Sequence, residues 1–428
     1  MSTGAINFAW LAADKGFRLV AGALVGFAVA RYLAPVRFGL LNYVTAIVAL
    51  FMPLAELGVD AIVRRRLIAN PEDAGSLLST VLRLRFMAGL VLYLGVAGYA
   101  MGVSGTTEAG HLLLILGFTL FQPAGYTADL WLQANLRARV SVITGWIALV
   151  FGACIRLWLI RVGAELSAFA WVIAGECLLG CGLLWWGGQR NGLPKLVGGE
   201  FWSKSAKLLS SSWMMVFSGM AMMLYMRLDM VMLRSMCGNR EAGIYAAAVR
   251  LSELWYFVPV ALASSILPAL LLKRDEGKAA YARAMQRYYD LNAAMAYGMI
   301  LIMVLFARPL VTIIYGAAFA DAGPVLEWHA WSAIFVFLGV ARGQFLMNES
   351  RYAFNLLATV LGAAVNVGLN LWWIPQHGAM GAAWATLVAY GVAAWAISWC
   401  HPGVRTNAWM QTRALLIPVL GWRYLIRR

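Results

Sequence analysis

Apolar runs of about twenty residues, each closed by a short polar or basic interval, recur along the whole chain. An α-helix rises about 1.5 Å per residue, so roughly 20 apolar residues carry one across bilayer hydrocarbon. About twelve runs are long enough, at 8–33, 38–63, 83–103, 111–134, 141–161, 167–187, 209–233, 242–271, 288–307, 325–347, 353–374 and 381–400. None shows the turn-bounded alternation of apolar and polar residues that marks an outer-membrane barrel strand. The spacing predicts an all-α polytopic membrane protein. The first run contains Asp14, Lys15 and Arg18 and has no small-residue cleavage site after it, which predicts a retained helix and not a signal peptide.

Composition points to the same solvent. Of 428 residues, 62% are hydrophobic and 12% charged, against about 25% charged in soluble domains. With a mean hydropathy of +0.74 there are too few polar side chains to cover a water-facing surface. The net charge of +15 is concentrated in alternate loops. With a cytoplasmic N-terminus, Arg64, Arg65, Arg66, Arg83, Arg85, Arg137, Arg139, Arg190, Lys195, Lys204, Lys273, Arg274 and Arg351 fall inside, and only Arg37, Arg161, Arg234, Arg240 and Arg308 clearly outside. This bias predicts that both termini are cytoplasmic, and it explains the basic charge by attraction to an anionic inner leaflet. No folded basic module for nucleic acid is visible. Cys177 and Cys181 share a helix face without the further ligands zinc needs, so small packing residues are expected there.

The longest polar interruption, 188–207, divides the runs into two sets of six. The predicted organisation is an N-terminal lobe at 1–190, a cytoplasmic linker at 191–208, a C-terminal lobe at 209–400 and an amphipathic cytoplasmic tail at 401–428. The apolar patch at 414–426 of that tail is predicted to lie on the inner leaflet. The two sets are weakly alike. A shift of 214 positions lays 131–160 on 345–374 and matches Leu132, Arg137, Leu157, Trp158 and Ile160 with Leu346, Arg351, Leu371, Trp372 and Ile374. Gly39 and Gly243 each open a run that carries a proline, Pro53 or Pro259. An even number of passes per half makes the repeats parallel.

The stretch NVGLNLWWIPQHGAMGAAWAT, at 366–386, holds Asn370, then Ile374 and Pro375, Gly378, and a run of Gly381, Ala382, Ala383, Ala385 and Thr386. It resembles the eleventh and twelfth passes of Wzx-type polysaccharide and O-antigen flippases of the multidrug/oligosaccharidyl-lipid/polysaccharide (MOP) exporter superfamily. Other stretches resemble the family in the same order: ARYLAPVRFGLLNYVTAIVALFMPLAELGVDAIVRR for the first two passes, then Asp229, Gly243, Tyr245, Ala248 and Glu253, then Tyr315, Gly316, Phe319 and Ala322. The resemblance implies a MATE-like fold of two six-helix lobes around a central cavity open to each side in turn. It also implies the transfer of undecaprenyl-diphosphate-linked oligosaccharide from the cytoplasmic to the periplasmic leaflet of the bacterial inner membrane, in O-antigen or exopolysaccharide biosynthesis. Membrane lipids, a polysaccharide polymerase and a chain-length regulator are the expected partners. Twelve passes, not fourteen, depart from the lipid II branch and disfavour a peptidoglycan precursor.

Such a substrate needs a polar path, because a bare anion in hydrocarbon is costly. Arginine suits it, being always charged and bidentate toward phosphate oxygens. The candidate substrate-binding residues are Lys15, Arg18, Arg156, Arg227, Arg250 and Arg342, with Asn366 and Asn370. Asp14 and Arg18 are spaced to pair at i, i+4, and Arg250 and Glu253 at i, i+3. Arg227 and Asp229 point apart, Arg156 has no acid at helical spacing, and Arg342 is placed to reach lipid phosphate near the inner end of its run. Candidate coupling or gating residues are Asp14, Glu176, Asp229 and Glu253; Glu176 has no cation near it in sequence and is a candidate proton site. Asp60 is spaced to pair with Arg64. The two asparagines are expected to bridge to neighbouring helices, and the repeat sets Asn370 opposite Arg156.

No GxxxxGK[ST] nucleotide loop occurs, so a proton or sodium gradient is the expected driving force, with no other cofactor. A multidrug antiporter of the same superfamily is a second reading, disfavoured by the excess of intramembrane arginine. A membrane glycosyltransferase, polymerase or ligase is a third; it would need an acidic metal site or a large outer loop, and the outer stretch 308–324 is short.

Overall fold

The computed structural model describes residues 3–102, 107–199, 201–349 and 351–420. Among these residues there is no strand. The helices are α1 (Thr3–Glu56), α2 (Asp60–Ala69), α3 (Ala74–Gly102), α4 (Glu108–Gly117), α5 (Gln122–Gly125), α6 (Thr127–Ala134), α7 (Ala138–Arg161), α8 (Leu166–Arg190), α9 (Phe201–Glu253) and α10 (Phe257–Asp275). They continue as α11 (Lys278–Tyr315), α12 (Ala322–Ala330), α13 (Ser332–Asn348), α14 (Tyr352–Ala394), α15 (Arg405–Leu415) and α16 (Ile417–Leu420).

Among the described residues, eight helical runs are long and apolar enough to cross a membrane. Three of them hold two passes each, because α1, α9 and α14 leave helical geometry at Ala34 (φ 56°, ψ 172°), Gly238 (φ 84°, ψ −178°) and Gly378 (φ 54°, ψ −131°). A straight α1 would extend about 80 Å, far beyond hydrocarbon about 30 Å thick. A further pass is assembled from α4, α5 and α6 with a 3₁₀ segment at Phe118–Phe121. The twelve predicted passes are thereby accounted for.

The turns have local causes. Pro35 disfavours helical geometry at the residue before it, Ala34, whereas Gly378 takes its positive φ without a Cβ clash. Past that turn, a Cβ at Gly381 would overlap the Trp373 carbonyl, and Ala382 and Ala383 are fully buried. Small residues thus bring the two passes of α14 into backbone contact.

Contacts divide the chain into two compact units: Met1–Leu33 with Leu40–Arg227, and Ala34–Gly39 with Leu228–Arg428. The sequence reading put a linker at 191–208; the contact division comes later, inside α9. The first half of α9 packs within the first unit, where Leu208 joins a core formed by Val59, Val63, Leu78, Val81, Leu130 and Leu184, Gly58 abuts Met215, and Gly219 abuts Pro53.

Arg85 is buried in that first unit. It donates to the carbonyls of Pro123 (3.1 Å) and Glu56 (3.2 Å) and pairs with Asp60. Asp60 was expected to pair with Arg64. A buried guanidinium without its acid is far more costly than an exposed one, and Arg64 instead donates to Gln133 (2.9 Å), which donates to Asp129 (2.6 Å).

In the second unit, Gly39 and Gly243 meet: a Cβ at Gly39 would overlap the Asn239 carbonyl, and one at Gly243 the Pro35 carbonyl. The two glycines matched in the sequence repeat are therefore a backbone-to-backbone contact. The described part of the tail packs on the second unit. Helix α15 buries Asn407 and Gln411 completely, with Asn407 donating to Tyr289 (2.5 Å) and Gln411 to the Ala394 carbonyl (3.0 Å). The side with Asn407, Ala408, Gln411 and Ala414 thus meets protein, while Arg405, Arg413 and Trp409 (65%) are exposed. Residues 421–428, which hold most of the basic end of the tail, lie outside the described residues.

Candidate functional site

In the first unit, the opening half of α1 runs beside α7 in the same direction. Asn7 accepts a hydrogen bond from the Ala138 amide (2.8 Å) at the start of α7, and the Tyr32 hydroxyl donates to the Ala164 carbonyl (2.8 Å) just past its end. Between these two ties, Arg18 lies against Gly145, where a Cβ would overlap its guanidinium. Arg18 Nε donates to both oxygens of Asp14, at 2.8 and 2.9 Å. Phe17 and Trp10 flank Trp146 at 4.8 and 6.0 Å between ring centroids.

Two turns further along α7 a second notch repeats the arrangement. A Cβ at Gly152 would overlap the Glu176 carboxylate, and Arg156 donates to that carboxylate at 2.5 Å. Gly145, Gly152 and Arg156 are spaced seven and four residues apart, so they share one face of the helix. That face meets the Arg18 guanidinium at Gly145 and the Arg156–Glu176 pair at Gly152, about 10 Å further along the axis. Each cation is held by one carboxylate, and each keeps an open side: Arg18 is 39% and Arg156 16% exposed. Lys15 is exposed beside this set.

The second unit holds a drier cluster. Asp229 is buried and accepts from the Tyr245 hydroxyl and the Met230 amide (2.7 Å); the same hydroxyl meets Thr386 at 3.2 Å. The His329 ring stands edge-on to Tyr245, at 6.1 Å between centroids. Asn370 and Asn366 are also buried, but Asn370 donates to Asn366 (2.9 Å) on the same helix. The expected bridge to another helix is absent from the described contacts. Arg342 is buried and was expected to reach lipid; it donates to the Ala393 carbonyl (2.6 Å) and lies near Asn355 (3.5 Å). Arg227, Arg250 and Glu253 are half-buried, Arg250 within electrostatic reach of Tyr315 and Glu253 of Tyr245 and Tyr256.

Of the predicted site residues, the structure thus joins Asp14 with Arg18, Arg156 with Glu176, and Asn366 with Asn370. Arg156 and Asn370, matched by the repeat, differ: one is ion-paired and partly open, the other fully enclosed. Sequence reasoning missed His329, Glu241 and the Arg85–Asp60 pair. Glu241 accepts from the Ala379 amide (2.9 Å) and pins the Gly378 turn; no spacing along the chain could signal a contact 138 residues away. Cys181 packs against Gly125, and no group of three or more metal-ligating side chains occurs among the described residues.

A family model described as polysaccharide biosynthesis protein matches residues 28–324. The chain belongs to that family. Its fold is that of the MOP superfamily. A lipid II flippase, MurJ, in an inward closed conformation superposes with a TM-score of 0.70 at 14% identity, over 97% of this chain and 92% of that one. An inward-facing multidrug resistance MATE transporter of the MOP superfamily gives 0.68 at 14% identity, over 92% and 94%. A MOP superfamily transporter from Pyrococcus furiosus, described as having a binding pocket of reverse polarity, gives 0.58 at 13% identity, over 95% and 96%. A search of curated protein sequences found no match. These structural neighbours are described as transporters and a flippase.

Proposed function

We propose that this family member is a flippase that moves undecaprenyl-diphosphate-linked oligosaccharide repeat units from the cytoplasmic to the periplasmic leaflet of the bacterial inner membrane by alternating access, for O-antigen or exopolysaccharide synthesis. Membrane lipids surround it, and a polysaccharide polymerase and chain-length regulator are its proposed partners. The observation that carries the reading is the placement of Arg18 and Arg156 on one face of α7, each with a carboxylate on one side and an open side.

A diphosphate offers more negative charge and more acceptor oxygens than one carboxylate, so it competes for both guanidiniums. Exchange at Arg156 would release Glu176 from its ion pair. The freed carboxylate is the proposed coupling site, linking substrate binding to a proton gradient. The Asp229–Tyr245–Thr386 cluster is the second proposed coupling element, with Glu253 near it. An organic-cation exporter would be served by Asp14 and Glu176, but in this structure both are already answered by arginine.

The deciding experiment reconstitutes the protein in vesicles loaded with a fluorescent polyprenyl-diphosphate oligosaccharide and follows loss of inner-leaflet label. Accelerated transfer is expected. Tight binding of organic cations with no response to polyprenyl diphosphates would replace this reading by the multidrug one.

A further inference from the structure

The residues after α8 form a strap across the start of α3. Leu193 donates its amide to the Gly188 carbonyl (2.9 Å), Val197 to the Gly75 carbonyl (3.4 Å), and Lys204 holds Ser76 (2.8 Å). Gly75 permits the crossing, since a Cβ there would overlap the Lys195 carbonyl. The strap closes one side of a groove that continues onto the outer surface of α3. One cavity of about 720 Å³ is lined by Leu82, Trp185, Leu193 and Leu196, with Gln189 and Lys195. A second of about 470 Å³ shares Leu82 and adds Arg83, Phe86, Met87 and Phe201.

The walls are apolar, and the cations stand at the rim. Arg83 and Lys195 are exposed and make no ion pair among the described residues. Arg190, next in sequence to Gln189, lies over the Trp186 ring at 4.2 Å, and Lys204 lies 3.9 Å from Asp73. Gln189 is thirteen residues from Glu176 along α8, about 20 Å, so the groove is separate from the ion pairs on α7. An apolar trough with a basic rim matches one class of ligand: a lipid whose chains lie in the trough and whose anionic headgroup meets the cations. A soluble anion would leave the apolar walls wet, and an uncharged lipid would leave the rim unanswered.

We propose that this groove is a binding site for an anionic phospholipid of the leaflet at the basic end of the helices, with Arg83 and Lys195 holding the headgroup phosphate and Leu82 separating the two chain-binding cavities. The bound lipid supports the strap from beneath and fixes it to α3.

Native mass spectrometry of the full chain in neutral detergent, titrated separately with phosphatidylglycerol, phosphatidylcholine and undecaprenyl diphosphate, tests the site. Phosphatidylglycerol is expected to bind at least tenfold more tightly than phosphatidylcholine. The double variant Arg83→Gln/Lys195→Gln should remove that preference, and Leu82→Trp, which fills the trough and keeps the charges, should remove the tightest phosphatidylglycerol. Undecaprenyl diphosphate binding should be unchanged in both. Unaltered phosphatidylglycerol binding in folded variants, equal binding of the two phospholipids by the parent, or selective loss of undecaprenyl diphosphate would each overturn the proposal.

Discussion

Arg156 of α7 and Glu176 of α8 face each other at 2.5 Å, so two residues without a partner at helical spacing are partners to each other. The cation proposed to bind substrate and the carboxylate proposed to couple transport are one unit. Arg156→Ala should abolish export at normal expression, and Arg156→Lys should restore part of it. The charge-reversed pair Arg156→Glu with Glu176→Arg should recover the melting temperature lost in either single change, about 1–3 kcal/mol in stability, yet not export.

If release of Glu176 links binding to protons, export by wild type varies with pH and Glu176→Gln flattens the profile. Transport assays across a pH series in proteoliposomes measure this. A profile identical in shape for wild type and Glu176→Gln removes Glu176 from coupling.

The notches in α7 make a distinct prediction. Gly→Ala inside a helix ordinarily gains about 1 kcal/mol. Gly152→Ala should instead lower the melting temperature, because the new Cβ displaces the Glu176 carboxylate. Gly145→Leu should impair transport by moving Arg18 while α7 still forms.

Tyr245→Phe leaves buried Asp229 without its hydroxyl donor and should cost about 1–3 kcal/mol. Asp229→Asn combined with Tyr245→Phe should cost less than the two single changes added together, since each alone already weakens the same hydroxyl–carboxyl hydrogen bond. Thermal melting of the four proteins in detergent gives the coupling.

Backbone strain can be read at the first turn. Ala34 sits at φ 56°, where a Cβ costs roughly 1–2 kcal/mol. Ala34→Gly should raise the melting temperature, whereas Glu241→Ala, which uncaps the Gly378 turn, should lower it by about 1 kcal/mol in stability.

Much of the architecture is present in the one-dimensional pattern. Run length against bilayer thickness determined the twelve passes, and the proline and glycines near 34, 238 and 378 determined where the long helices fold. The Asp14–Arg18 pair was legible because both ends lie on one helix, four residues apart. The family could be placed from motifs along the chain.

What sequence could not determine are the contacts between helices. Asp60 looked toward Arg64 by spacing, yet Arg85 from α3 holds it; Glu176 looked alone, yet Arg156 reaches it across a glycine notch; Arg342 looked free to reach lipid, yet it is enclosed among α13 and α14. A helical period states which residues share a face. Which face meets which neighbour is decided only when small residues let particular backbones approach, and in a medium without water each buried charge then takes the partner that packing brings within reach.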